Sequence, residues 1–296
     1  MHAPQDQISL GHTAPRGNSR PLNPERYALT FACHNQVEYT RRCIDSMTKH
    51  GVDLSRLVVV DNASTDDTHA YLGTLPVGGL IRNRSNLGCG TAWNQGALYL
   101  QAEWTVVMNN DVLVCSGWIE NLVQAAERNG LKIISSAMVA GELDYDFDAF
   151  AREAVSKTSG ALRLRGRNSV CFAVHKSVWL EIGYFQSIPK LLGYEDALFF
   201  NEVDKVGIAT GMTGSAWVHH FRSMTQAGVR RELGLSQKQG LGDRRTYLRL
   251  LGQTWLERRI RKMRRGSLQR RWREQEMAKY GMSLIGIRED GAFTWK

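Results

Sequence analysis

The chain has 296 residues, a net charge of +9 and 43% hydrophobic residues. This length and apolar content suffice for one α/β domain with a smaller appendage, and they exclude an intrinsically disordered protein. No apolar run approaches the roughly 18 residues that a membrane-spanning helix requires. Residues 1–25 lack the basic start and apolar block of a signal peptide, so we expect a flexible polar tail there.

Strand and helix signals alternate from residue 27 to residue 138. The apolar run 27–32 predicts the first strand, and Cys43, Ile44 and Met47 then recur at helical spacing. Further strands are predicted over 56–61, 79–83, 104–111 and 132–138, and further helices over 63–73, 90–101 and 116–130. This alternation predicts a mostly parallel central sheet flanked by helices.

The pattern is less regular beyond residue 140. The acidic segment 142–157 fits either a helix or a mobile loop. Later strands are predicted over 168–176 and 215–221, and later helices over 177–183 and 194–207. From Thr225 onward the sequence is basic and helical in pattern. We therefore expect three parts, namely a tail over 1–25, an α/β domain over 26–225 and a basic helical C-terminal extension over 226–296.

Most of the positive charge lies in that extension. Residues 230–279 carry 16 Lys/Arg and 5 Asp/Glu, a net charge of +11, so the rest of the chain is close to neutral at −2. Three interpretations are open, and we rank them in this order. The extension packs on the domain with a solvated basic face, it lies on an anionic membrane surface, or it binds an acidic polymer such as nucleic acid.

The five cysteines do not form a metal-binding pattern. None is spaced as in a zinc site, and we expect all of them to be buried small residues with free thiols. Free thiols are typical of a reducing cytoplasm. The residues are Cys33, Cys43, Cys89, Cys115 and Cys171.

Two acids end predicted strands, where ligands gather in open α/β sheets. Asp61 follows "RLVVV", and it serves either in a turn or as an acceptor for a nucleotide ligand. Asp111 follows "VVMNN" and has the same structural alternative. Its functional alternative is a ligand to Mn²⁺ or Mg²⁺, which prefer carboxylate oxygens and keep part of their shell for phosphate.

Two later segments also carry candidate functional groups. Glu195 and Asp196 begin a predicted helix, where acids either complement the helix dipole or serve in catalysis. His219 and His220 are adjacent in a predicted strand, so only one of them faces any one site. Arg222 follows closely, and a cation near an imidazole suits a metal–diphosphate group.

Two common nucleotide-binding patterns are absent from the sequence. "NLGCGTAWNQG" has Gly88, Gly90 and Gly96, but the dinucleotide fingerprint requires its third glycine at Trp93. The first strand leads into "CHNQ" without a glycine-rich loop, and no "GK[ST]" segment is present. We set aside the Rossmann and P-loop classes.

Six segments in order resemble family 2 glycosyltransferases of the GT-A fold, over about residues 27–225. They are "FACHNQVEYTRRCIDSM", "VVVDNASTDDT", "NRSNLGCGTAWNQG", "VVMNNDVLV", "NSVCFAVHKSVWLEIGYF" and "GYEDALFFNEVDKVG", and the last segment leads on to "WVHHFRS". The fourth stands at the DXD position of the family. This chain departs from that pattern with Asn109 in place of the first acid, so metal binding there depends on Asp111.

The resemblance implies a metal-dependent inverting transferase that moves a sugar from a nucleoside diphosphate to an acceptor hydroxyl by a single displacement. It implies Mn²⁺ or Mg²⁺ bound by Asp111 with His219 as the partner, and Asp196 as the general base beside Glu195. Whether His219 or His220 faces the metal stays open. The implied nucleotide-sugar-binding residues are His34, Asn35, Asp61, Asn62, Asn86, Gly88, Asn94, Asn110 and Arg222.

The acceptor implied by the resemblance is a glycan, a lipid-linked sugar or another hydroxyl compound, as in bacterial polysaccharide synthesis, rhamnosyl transfer included. We expect a cytoplasmic protein, which the membrane interpretation would place on the inner face of the cell membrane. The alternative function is a catalytically weak GT-A-like protein whose basic C-terminal region binds membrane, nucleic acid or a partner.

Overall fold

The computed structural model describes residues 23–188, 193–222, 224–232, 234–236 and 241–296. The predicted tail over 1–25 lies, up to residue 22, outside the described residues. No helix in the described ranges is long and apolar enough to cross a membrane.

The N-terminal half alternates strands and helices as the sequence predicts. Strands with β-branched and aromatic residues are separated by amphipathic helices whose apolar faces cover the sheet. The elements are β1 (Tyr27–Cys33), α1 (Val37–Lys49), β2 (Leu57–Asp61), α2 (Thr68–Leu72), β3 (Gly79–Arg82), α3 (Cys89–Tyr99), β4 (Trp104–Asn109), β5 (Val112–Val114), α4 (Trp118–Arg128) and β6 (Ile133–Gly141).

The second half is also built around this sheet. The acidic segment left open above contains a helix, α5, whose first-turn amide at Ala149 is capped by Asp146. The elements are α5 (Phe147–Thr158), β7 (Leu162–Leu164), β8 (Cys171–His175), α6 (Lys176–Ile182), α7 (Glu195–Val206), β9 (Thr210–His220), α8 (Met224–Glu232), α9 (Arg244–Leu251), α10 (Trp255–Tyr280), β10 (Ile285–Glu289) and β11 (Ala292–Trp295).

The described strands form one mixed sheet. Its main order is β11-β10-β6-β8-β4-β1-β2-β3, and β9 pairs with β5, β6 and β7. The block β4-β1-β2-β3 is parallel, as predicted. The sheet as a whole is mixed, because β8 runs antiparallel to both β4 and β6, and β9 runs antiparallel to β5 and β7.

The described part of the predicted helical extension over 226–296 contains helices, but its last residues form strands. Helices α8, α9 and α10 are followed by β10, which pairs in parallel with β6, and by β11, which pairs with β10. The end of the chain therefore completes the central sheet. The side chains of 285–295 alternate in a way that is consistent with strands. This segment is short, and it was assigned together with the highly charged helix before it.

Helix α10 is fixed to the body by a buried ion pair. The guanidinium of Arg163 donates to both carboxylate oxygens of Glu276 at 2.7 Å, and Arg163 is 2% exposed. Arg163 also lies over the ring of Trp272, 5.4 Å from its centroid. The C-terminal half of α10 thus packs as our first interpretation expects, whereas Trp255, Leu256 and Met263 in its N-terminal half are exposed.

The cysteines behave as small core residues. All five are free thiols, four are buried and Cys89 is half-buried. Burial raises the pKa of the Cys33 and Cys89 thiols well above their usual range, and the nearby carboxylates of Glu195 and Asp196 raise that of Cys89 further. These thiols are therefore neutral.

Candidate active site

A cavity of about 220 Å³ opens where β1, β2 and β4 end. The carboxyl ends of these parallel strands meet at one edge of the sheet, so His34, Asn62 and Asp111 reach the same space. Other predicted residues also line the cavity, namely Asn86, Gly88, Asn110 and Asp196. Residues far apart in the sequence are thus brought together in one cavity.

Asp111 is paired with His220 in this cavity. Its Oδ1 lies 3.3 Å from Nε2 of His220, and its Oδ2 accepts a hydrogen bond from the amide of Met224 at 3.0 Å. Asp111 is only 2% exposed, so its charge requires such partners. Strand β9 supplies the imidazole because Val112 of β5 lies opposite His220 in the antiparallel ladder.

His219 does not face the cavity, which corrects its expected role as the metal partner of Asp111. Successive side chains of a strand point to opposite faces, and that of His219 is directed into the core. Its Nδ1 lies 2.9 Å from the hydroxyl of Tyr145, and its ring packs against Phe147 and Phe221. Burial first, and the neighbouring His220 second, lower the pKa of His219 to about 4.

The protein supplies few ligands for a metal ion. The described residues contain no group of three or more His, Cys, Asp or Glu side chains that could hold one. Asp111 and His220 provide one carboxylate and one imidazole, and the Asn109 side chain lies 3.4 Å from the same imidazole. A cation of the Mg²⁺ type is commonly held by one or two protein ligands together with water and substrate phosphates, so this pair fits such an ion.

A chain of hydrogen bonds connects the residues at the ends of β1 and β2. Nδ1 of His34 lies 2.9 Å from the carbonyl oxygen of Asn62. The Asn62 side chain donates to Oδ1 of Asn86 at 2.9 Å and accepts from the amide of Leu87 at 3.0 Å. Oδ1 of Asn86 in turn accepts from the amide of Gly88 at 3.0 Å. The loop before α3 is thereby held against the end of β2.

Asn110 and Asn94 are held by partners next to the site. Nδ2 of Asn110, which lines the cavity, donates to Oγ1 of Thr40 at 2.9 Å. Asn94 does not line the cavity. It donates to the carbonyl oxygen of Phe185 at 2.7 Å and accepts from the amide of the same residue at 3.0 Å. Asn94 therefore fixes the segment after α6 against α3.

Three predicted nucleotide-sugar-binding residues besides Asn94 do not line the cavity. Asp61 is fully buried, and its Oδ1 accepts from the amide of Ser64 at 2.8 Å, which favours the turn interpretation. Asn35 accepts from the amide of Thr65 at 2.7 Å and so orders the neighbouring loop. Arg222 is exposed and pairs with Glu289 of β10 at 3.2 Å.

The two acids that begin α7 have different surroundings. Glu195 is 2% exposed, and its Oε2 accepts from the amide of Gly193 at 2.6 Å. Burial raises the pKa of Glu195, and the structure places it beneath α3 rather than in the cavity. Asp196 is half-buried and lines the cavity, and no described residue hydrogen-bonds to its carboxylate. Asp196 is thus the carboxylate available to a bound molecule.

Several residues that line the site were not predicted from the sequence. Ser169 and Val170 line the cavity because β8 runs antiparallel and begins at the edge where β4 ends. Helix α8 contributes Gln226 and Val229, and its Glu232 accepts from the Asn35 amide nitrogen at 2.7 Å and lies 2.8 Å from Nε2 of His34. A basic extension could not be assigned to the site from its composition.

This fold and the site at its edge define an α/β protein of the GT-A class. The glycosyl transferase family 2 model matches residues 31–186, more than half of the chain of 296 residues. The chain therefore belongs to glycosyl transferase family 2. No curated protein sequence gives a significant match.

Solved structures of glycosyltransferases share the fold. One is the mannosyltransferase PcManGT from Pyrobaculum calidifontis in complex with GDP-Man and Mn²⁺, with 17% identity, a TM-score of 0.51 and coverage of 70% of this chain and 60% of that one. Another is S. aureus TarS 1–349 in complex with UDP-GlcNAc, with 12% identity, a TM-score of 0.50 and coverage of 68% and 60%. The chain thus spans about 60% of the length of these two proteins.

Proposed function

We propose that the protein is a metal-dependent glycosyltransferase that moves a sugar from a nucleoside-diphosphate donor to an acceptor hydroxyl with inversion at the anomeric carbon. The observation that carries this proposal is that the Asp111–His220 pair and the carboxylate of Asp196, to which no described residue hydrogen-bonds, line one cavity. Family membership supports it, as does the presence of nucleotide sugars in two proteins of the same fold, one of them with Mn²⁺.

The donor side of the proposed reaction uses the strand ends. Asp111 and His220 would hold Mn²⁺ or Mg²⁺, and such an ion supplies positive charge to the diphosphate as it departs. His34 and Asn62 at the ends of β1 and β2, and Asn86 in the loop before α3, would present polar groups to the nucleoside part of the donor. Because a diphosphate is already a good leaving group, the protein does not need a second carboxylic acid to protonate it.

The acceptor side uses Asp196. As the acceptor hydroxyl attacks, a bond forms between its oxygen and the anomeric carbon, while the bond from that carbon to the diphosphate oxygen breaks. The hydroxyl proton passes to the Asp196 carboxylate, which requires hydrogen-bond contact between the two. A single displacement on the face opposite the leaving group inverts the anomeric centre.

A donor screen tests this proposal. UDP-, GDP- and dTDP-sugars are added with and without Mn²⁺, and the melting temperature and release of free sugar are measured. At about 100 times its dissociation constant a true donor stabilises by about 2.7 kcal/mol, which raises the melting temperature by roughly 4 °C in a chain of this size. The Asp111→Asn variant should lose the part of this rise in melting temperature that depends on Mn²⁺. Absence of any Mn²⁺-dependent shift or sugar release with all donors would refute the proposal.

A further inference from the structure

A second cavity, of about 330 Å³, is lined by Asp196 but not by Asp111. Asp196 and Ser169 line both cavities, so the two spaces meet at the proposed base. The second cavity is lined by aromatic Phe200 and Tyr247 and by a group of cationic side chains. We call this cavity the basic groove, and its cations are Arg167, Arg258, Arg261, Lys262 and Arg265.

The positive charge of the basic groove is only partly compensated within the protein. Asp204 accepts from Arg167 at 2.7 Å and from Arg261 at 2.8 Å, so one carboxylate serves two guanidinium groups. No residue that the structure describes forms an ion pair or hydrogen bond with Lys262 or Arg265. Partial burial, and then the charges of Arg167 and Arg261, lower the pKa of Arg265. A bound anion would relieve this repulsion.

The groove continues along α10. A larger cavity of about 1110 Å³ shares Arg167, Arg261 and Arg265 with it and adds Arg264 and Arg271 to its lining. Cationic side chains therefore follow one path that starts at Asp196 and runs several turns along the helix. This length suits a ligand with several anionic groups.

We propose that the acceptor is a phosphate-bearing chain, such as a phosphodiester-linked polyol, whose phosphates lie in the basic groove while its hydroxyl reaches Asp196. Guanidinium groups match phosphate oxygens in charge and in paired geometry. The orientation of the acceptor in the groove rests on the proposed function, because only that function places the acceptor hydroxyl at Asp196. The exposed apolar side chains of Trp255, Leu256 and Met263 lie outside the groove lining. The groove itself therefore lacks the apolar surface that binding to a lipid bilayer would use.

Binding of a defined probe tests this inference. The full chain is titrated, without donor or metal, into a fluorescent glycerol phosphate hexamer, and maltohexaose serves as the neutral probe. The variant carrying Lys262→Gln and Arg265→Gln should bind the hexamer at least tenfold more weakly, with a smaller dependence on salt. The matched control carries Arg259→Gln and Arg270→Gln on exposed positions of the same helix outside the groove, and it should change affinity less than twofold.

Several results would overturn the inference. These are equal binding of maltohexaose, equal loss of affinity in the control variant, or binding of phosphatidylglycerol vesicles without binding of the soluble hexamer. An oligonucleotide that binds more tightly than the hexamer and loses affinity in the same groove variant would assign the groove to nucleic acid instead. Because the assay contains no donor, failure of the donor screen would leave its result unaffected and would count against the proposed function alone.

Discussion

Nε2 of His220 lies 3.3 Å from Oδ1 of Asp111, whereas the adjacent His219 is turned toward the hydroxyl of Tyr145, 2.9 Å from its Nδ1. Two neighbouring imidazoles thus have different environments. We expect His220→Gln to weaken Mn²⁺-dependent donor binding by about tenfold or more, a loss of about 1.4 kcal/mol per tenfold, because the variant lacks one of the two proposed protein ligands. Calorimetry with and without Mn²⁺ measures this effect.

His219→Gln is the matched control for that variant. We expect it to lower the free energy of unfolding by roughly 1–3 kcal/mol, because it disturbs a buried aromatic cluster and the contact to Tyr145. Donor affinity in the folded variant should stay within twofold of the unmodified protein. If His219→Gln abolishes the Mn²⁺-dependent binding and His220→Gln does not, the assignment is reversed.

Asp196→Asn should retain donor binding and lose sugar transfer, because the amide cannot accept the hydroxyl proton. The expected fall in the transfer rate is about 10²–10⁴-fold. Steady-state transfer and donor calorimetry are measured together. Glu195→Gln is the control, since burial raises the pKa of Glu195 and the amide oxygen can still accept from Gly193. Transfer by Asp196→Asn at a near-normal rate would remove it from the role of base.

Glu232→Gln should tighten donor binding by a few fold. In the present structure the Glu232 carboxylate contacts His34, which the proposed donor would reach, and the neighbouring Asn35. Partial burial would raise the pKa of Glu232, but the hydrogen bonds with His34 and Asn35 together outweigh it and lower the pKa. Removing the charge weakens this contact. The exposed Glu274→Gln controls for net charge, and weaker donor binding by Glu232→Gln would show instead that Glu232 contacts the donor itself.

Glu276→Gln should destabilise the protein strongly. It removes the charge that compensates the buried Arg163, and breaking such a pair typically costs about 3–5 kcal/mol. Urea denaturation measures the change in the free energy of unfolding, with Glu274→Gln on the same helix as the control. A loss below about 1 kcal/mol would indicate that α10 is not coupled to the sheet through this pair.

Gly96→Ala should also be destabilising, by roughly 1–3 kcal/mol, because a Cβ atom there would lie 1.8 Å from Oγ1 of Thr30 on β1. Gly266→Ala in the middle of α10 is the matched control, since its Cβ would meet no atom within 4 Å. Alanine favours a helix over glycine, so this control should gain about 0.5–1 kcal/mol. Equal melting temperatures for the two variants would contradict the close approach of α3 to β1.

The sequence by itself determined the parallel block of the fold and the family. Apolar runs and helical spacing depend on burial that recurs along one segment, so they predict β1, β2 and β4 and the helices between them. The polar residues at the ends of these strands are expected to lie close together, because neighbouring parallel strands have their carboxyl ends at the same edge of the sheet. Strand order therefore predicted Asp111 at this edge, and the family resemblance added His34 and Asn62, which line the same cavity.

Only the tertiary structure decided the rest of the site. The alternation along β9 shows that His219 and His220 point to opposite faces, but the pairing of β5 with β9 determines which of them meets Asp111. The antiparallel direction of β8 brings Ser169 to the same edge, and direction is not encoded in a local apolar pattern. The return of the last residues to β6 and the position of the α10 cations beside Asp196 depend on contacts between distant segments, which composition and spacing do not contain.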